Sequence, residues 1–156
     1  MLTHIDKQGN PSMVDVSAKQ VTYRTATARS IVVLPDEVLR HLIDGDLISK
    51  KGPVFQTAII AGIMAAKKTG ELIPLCHPLG MDNCGITVQV NGQQEIVIEC
   101  TASITAKTGI EMEALVGASV AALTVYDMCK AMSHDIVIKE TKLIAKTGGK
   151  RDFKRA

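Results

Sequence analysis

The chain has no tryptophan, and two tyrosines with two phenylalanines bring its aromatic share to only 3%. A core without aromatic rings must be filled by Ala, Val, Ile, Leu and Met, which suits helices packed closely on a sheet. The same scarcity removes the stacking platforms that single-stranded nucleic acids use. Neither sign of charge is in excess: 18 Lys and Arg against 16 Asp and Glu leave +2. That balance excludes a strongly basic nucleic-acid wrapper. No uninterrupted apolar run approaches the ~18 residues of a membrane span, and the opening MLTHIDKQGN lacks a charged-then-apolar leader. The expectation is a soluble, cytoplasmic protein with no membrane or nucleic-acid partner.

Paired cysteines are also missing. Cys76, Cys84, Cys100 and Cys129 form no C-x-x-C motif, so neither a disulfide framework nor a zinc site is expected. Cys84, Cys100 and Cys129 read as buried thiols. The phosphate-binding G-x-x-x-x-G-K-[ST] loop fails, because Arg151 follows Gly149-Lys150 and Ile144 stands where the first glycine belongs. There is no G-x-G-x-x-G. Phosphate recognition, if present, falls to lysines in loops and at element ends.

What is there fits one domain of 156 residues, 46% of them apolar. Residues 1–20 are polar and read as a loosely held arm. Residues 21–34, rich in Val, Thr and Ile, read as a long strand. A short helix follows, with Pro35 at its start and Gly45 as its stop, and then a basic loop over 46–53. Pro53 opens a second helix to about Lys68. Two strands, 85–90 and 95–104, join at Asn91-Gly92. A helix from Ile110 to about Ala131 is apolar on nearly every side, which points to cover from another subunit. A strand near 136–146 precedes the basic tail 147–156. Apart from the short helix, the order is a ferredoxin-like βαββαβ pattern of α+β class. It predicts four antiparallel strands packed with two helices.

Several polar residues in this frame invite a chemical reading. Lys50 and Lys51 precede a helix N-terminus, where an anion could bind; a solvated basic turn is the simpler account. His77 is fixed between Pro74 and Pro78 in an apolar loop, and a structural or a functional histidine fits equally well. Asp127 and Lys130 share a helix face, as an ordinary surface pair also would. Glu111 and Glu113 suit the positive end of the helix dipole. From Lys139 onward seven Lys or Arg stand against two acids, the pattern of a solvated strand end or of a nucleic-acid contact. An RNA-binding module should carry aromatics on its central strands, and EIVIECTAS has none. A cysteine hydrolase using Cys76 would have His77 as its immediate neighbour, a poor geometry for attack.

Four segments carry a resemblance: LIPLCHPL (72–79), KTGIEMEAL (107–115), AALTVYDMCKA (121–131) and AKTGGK (145–150), supported by LTHID, MVDVS and KGPVF. They resemble the signature blocks of the molybdenum cofactor biosynthesis protein C family, the cyclic pyranopterin monophosphate synthases. The resemblance spans essentially the whole chain. It implies a single catalytic domain with a ferredoxin-like fold, assembled as a trimer of dimers. The implied substrate is a cyclised dihydroguanosine triphosphate made by a radical-SAM enzyme, rearranged with release of pyrophosphate. The resemblance carries catalytic roles onto Asp127, Lys130, Lys51 and His77, and substrate contacts onto Leu75, Cys76, His77, Met112, Glu113, Lys146 and Arg24. It implies no metal site and no cofactor, although magnesium could accompany the triphosphate. Ser133-His134-Asp135 and Arg151-Asp152-Phe153 depart from the family's pattern.

Overall fold

The computed structural model describes residues 3–156. Met1 and Leu2, at the start of the arm and of the LTHID block, lie outside the described residues. The main sheet is built from β1 (Thr22–Val33), β5 (Asn83–Val90), β6 (Glu95–Ala106), β7 (Val137–Thr147) and β8 (Phe153–Lys154). Its order is β5-β6-β1-β7-β8, and every neighbouring pair is antiparallel. Alternation decides which face is covered. Ala26, Ala28, Ser30 and Val32 of β1 are buried on the same side as Ile96, Ile98, Cys100, Ala102 and Ile104 of β6. The helices α2 (Val54–Lys67) and α4 (Glu111–Cys129) pack on the sheet and against each other.

The fifth strand corrects the expected count of four. At Gly148 (φ 88°) the chain turns back, and the Gly148 amide donates to Asp152 Oδ1 at 3.1 Å. The Arg155 amide then donates to the Ile144 carbonyl at 2.7 Å, and its guanidinium stacks 5.3 Å over Phe153. The tail is thus held by backbone pairing that its basic composition hid.

Between β1 and α2 the chain is more ordered than a helix and a basic loop. The helix α1 (Asp36–Leu39) lasts one turn. Gly45 does not stop it. Instead Asp44 (φ 50°) and Gly45 (φ 81°) form a two-residue hairpin turn, both in the left-handed region such turns require. This turn joins β2 (Leu42–Ile43) to β3 (Asp46–Ser49), and β4 (Gly52–Pro53) completes a small second sheet. A one-turn helix, α3 (Thr69–Leu72), follows α2.

The second sheet supplies the cap that α2 lacks. Pro53 stands at the N-cap of α2 and offers no side-chain hydrogen bond. Asp46 reaches over from β3: its Oδ1 accepts the Phe55 amide at 2.7 Å and its Oδ2 the Gln56 amide at 3.3 Å. A carboxylate here satisfies orphan donors and meets the positive end of the helix dipole. The helix terminus beside Lys50 and Lys51 is therefore filled by a protein carboxylate, which corrects the idea of an anion site on those amides.

The two long helices meet backbone to backbone. A Cβ on Gly62 would lie 2.7 Å from the Gly117 carbonyl, and one on Gly117 would lie 2.6 Å from Cys100 Sγ. Small residues along α4 (Ala114, Ala118, Ala121, Ala122) are fully buried in this contact and against the sheet. By length and composition α4 could also cross a bilayer, although no unbroken apolar run marks it. Here it is a core helix, covered on one side by its own chain. Leu123, 56% exposed, lies on the uncovered side.

Replacing Asp46 by Ala should cost about 1–2 kcal/mol, as for the loss of an ordinary N-cap, read from urea unfolding. An unchanged midpoint would mean that water replaces the carboxylate at no cost.

Candidate active site

The candidate residues gather at the two ends of α4. At its N-terminal end lies the loop 73–82, stiffened by Pro74 and Pro78. Leu75, Cys76 and His77 of this loop face Met112 and Glu113 across a cleft of about 290 Å³. The arm expected to be loose forms another wall, through Val14, Val16 and Lys19. It is pinned there because the Val14 carbonyl bonds His77 Nε2 at 2.7 Å and Lys107 donates to the Ser17 carbonyl at 3.3 Å. A carbonyl only accepts, so Nε2 carries a proton and donates this bond.

Glu113 is 3% exposed. Burial pushes its carboxyl above the ordinary value, and the negative charge of Glu111 adds to the effect. Burial, followed by the charge of Glu113, likewise raises the Cys76 thiol. A raised thiol is a poor nucleophile, so Cys76 is better suited to lining the cleft than to attack.

A second, larger cavity of about 700 Å³ shares the Glu111 and Gly109 wall with the first. Lys19, Arg24, Lys146 and Lys150 line it, with Glu111 as the lining carboxylate. Glu111 pairs with Lys146 at 3.1 Å. Arg24 donates to the Ala106 and Lys107 carbonyls, both at 3.3 Å, which fixes the guanidinium without cancelling its charge. Four cations against one carboxylate make a cavity for a multiply charged anion.

At the other end of α4, Asp127 lies between two ammonium groups. Lys51 Nζ is 2.9 Å from its Oδ2, and Lys130 Nζ is 2.9 Å from its Oδ1. Lys51 comes from the tight turn between β3 and β4 and Lys130 from the end of α4. Hydrogen bonds from Lys130 first and Lys51 second hold the carboxyl below its ordinary range, and Asp127 in turn raises Lys130. The cluster borders a hollow of about 410 Å³, with His41, Ile48, Lys50 and Met132 on its walls.

One chain does not unite all these residues. Leu75, Cys76, His77, Met112, Glu113, Arg24 and Lys146 come together at the N-terminal end. Lys51, Asp127 and Lys130 form a separate group. Glu113 and Lys130 are seventeen positions apart on α4, which is about 25 Å at ~1.5 Å per residue. The sequence reading missed Lys19, Lys150 and the pairing role of Glu111. Lys19 was hidden in an arm whose docking leaves no periodic signal. Lys150 and Glu111 stood within the quoted blocks AKTGGK and KTGIEMEAL, with Glu111 ascribed to the helix dipole alone.

Comparison with known proteins adds to this geometry. The MoaC family model matches residues 13–149. The cyclic pyranopterin monophosphate synthase of Xanthomonas campestris pv. campestris (strain 8004) is 57% identical over 152 residues, covering 97% of this chain and 92% of that protein. A molybdenum cofactor biosynthesis bifunctional protein of Synechocystis is 51% identical, over 97% of this chain and 45% of its own length. Molybdenum cofactor biosynthesis protein 1 of Dictyostelium discoideum is 50% identical, over 95% of this chain and 26% of its length.

The buried Glu113 gives a pH signature. Because its folded value is raised, its stabilising contribution is complete below the ordinary carboxyl value of ~4.3 and is lost as pH rises through the folded value. Glu113→Gln cannot ionise, so its stability should rise relative to the unsubstituted protein between about pH 4 and about pH 7. Urea midpoints at both pH values check this; a constant difference would show that Glu113 ionises as freely as in water.

Proposed function

Because the chain belongs to the MoaC family, we propose that it converts a cyclised dihydroguanosine triphosphate to cyclic pyranopterin monophosphate and releases pyrophosphate. It would act as a lyase of molybdenum cofactor biosynthesis. The observation that carries the reading is the cavity lined by Lys19, Arg24, Lys146 and Lys150, joined to the cleft around Glu113. The cations suit a triphosphate. The adjoining carboxylate suits the N–H donors on a guanine edge.

The chemistry asks for two kinds of help. Forming a cyclic monophosphate with loss of pyrophosphate means that a substrate hydroxyl displaces pyrophosphate from the α-phosphorus. Lysines placed at the leaving oxygens stabilise the charge that develops there. Opening and closing the base also needs proton transfers, assigned to His77, Asp127 and Lys130. In the free protein Asp127 is a weak base, held ionised by its two lysines. Phosphate oxygens that draw Lys51 and Lys130 away would leave Asp127 more basic where a proton must be taken. Magnesium enters this proposal only as a companion of the triphosphate. No resident cofactor is assigned.

The distance along α4 bears on assembly. Two α4 helices packed antiparallel about a two-fold axis would bring Glu113 of one subunit beside Lys51, Asp127 and Lys130 of the other. The uncovered side of α4, with Leu123 exposed, supports such a contact. The proposed enzyme is therefore a dimer with two shared sites, assembled further as a trimer of dimers and working in the cytoplasm on the product of a radical-SAM enzyme. Residues 1–156 form one catalytic domain in this reading. The strands β5-β6-β1-β7 with α2 and α4 are read as its ferredoxin-like core, and β8 as an added edge.

Two measurements test it. Lys51→Ala and Lys130→Ala should each lower pyrophosphate release by at least ~100-fold, the scale of losing one charge-stabilising donor, while circular dichroism stays unchanged. Near-normal rates in both would return these lysines to the solvated surface. Inactive Glu113→Ala and Lys130→Ala subunits, unfolded together and reassembled, should recover about a quarter of full activity. Half the dimers are mixed, and each mixed dimer has one intact site. No recovery from dimers shown to be mixed would confine the site to one chain.

A further inference from the structure

The antiparallel register of β5 and β6 pairs Cys84 with Ala102 and Ile86 with Cys100. Cys84 and Cys100 are therefore diagonal neighbours on the same, helix-facing side of the sheet. Their sulfurs lie 3.7 Å apart. Their surroundings differ. Cys84 is half-buried on an edge strand and borders an open hollow of about 430 Å³ with Ile63, Lys67, Leu79 and Met81. Cys100 is fully buried, with its sulfur close against Gly117 of α4. One thiol can meet a small solute, and the other can be met only by its neighbour.

We propose that Cys84 and Cys100 are a modification site, which hydrogen peroxide oxidises to a reversible cross-strand disulfide. Cys84 attacks the peroxide. A sulfur–oxygen bond forms, the oxygen–oxygen bond breaks, and water leaves with the thiol's proton, giving the sulfenic acid. Cys100 then attacks that sulfur, expelling the hydroxyl as a second water as its own proton is lost. Two thiols give up two electrons in all, and the peroxide is reduced to two waters. The sulfurs must close from 3.7 Å to about 2.05 Å. An edge strand can make that movement more readily than a central one.

The electrostatics assign the order of events. The contact with the Cys100 thiol, helped by the Lys67 ammonium, lowers the Cys84 thiol, while the same contact and burial raise Cys100. The thiolate is the reacting form. Cys129, pushed up by burial to about 11, and Cys76, also raised, are less ready to react.

The test is mass mapping of the full chain after exposure to hydrogen peroxide and alkylation of the remaining thiols. The expected product has lost two hydrogens, contains one cross-linked peptide pair joining Cys84 and Cys100, and returns to four free thiols with dithiothreitol. Cys84→Ser should abolish the cross-link, and Cys100→Ala should leave Cys84 as a sulfenic acid that dimedone traps. The unsubstituted protein decides the matter even if Cys100→Ala does not fold. Alkylation of all four cysteines after exposure would overturn the proposal. So would oxidation at Cys76 or Cys129 first, or Cys84 proceeding to sulfinic acid uncrosslinked.

Discussion

The contact between Gly62 and Gly117 sets the distance between α2 and α4, and most of the molecule follows from it. Neither position has space for a side chain: the space is filled by the opposing carbonyl, by Ala121 and by Cys100. With backbones this close, the residues beside them must be small, and the alanines of α4 meet that requirement. A core of this kind has no place for many aromatic rings. Close packing also holds α4 along its length against α2 and the sheet, so the groups at its two ends keep a fixed separation. The division of the candidate site into two clusters is thus a product of core packing as much as of the polar residues themselves.

The two clusters handle charge differently. Lys51, Asp127 and Lys130 largely satisfy one another in the free protein. Around the larger cavity, Arg24 is anchored on neutral carbonyls and Lys146 shares Glu111, which leaves an excess of positive charge facing the space. An anionic ligand would be attracted to the second cluster and would have to compete for the first. Excess positive charge at one end of α4 and closed ion pairs at the other are two distinct electrostatic settings.

The order of the long elements was legible because period and punctuation agree. Abundant Val, Thr and Ile mark β1, and Pro53 marks the start of α2. The blocks around His77, Glu113, Asp127 and Lys146 were legible too, since their residue types are specific and closely spaced. What escaped were features made by distant pairings. Asp46 caps a helix nine residues away across a hairpin, and nothing in its own neighbourhood signals that. Gly45 reads as a helix stop in sequence because a glycine with positive φ serves a helix end and a hairpin equally well. The tail's pairing with β7 rests on backbone donors, which every sequence has. Lys19 gained its position only when the arm docked through the Val14 and Ser17 carbonyls.

The small second sheet bears on how a ligand can be received. Lys51 sits at the tip of a turn whose backbone is already fixed: its amide donates to Ser49 Oγ at 3.1 Å, Ser49 donates to the Gly52 carbonyl at 3.2 Å, and Gly52 holds φ at 106°. The Asp46 carboxylate ties the same hairpin to the end of α2. Ordering a free loop of this length on binding would cost about 1–2 kcal/mol for each residue's backbone. Here folding has already met that cost, and what remains is to draw one ammonium group from its pair with Asp127. A ligand reaching Lys51 would therefore meet a backbone that needs no further ordering.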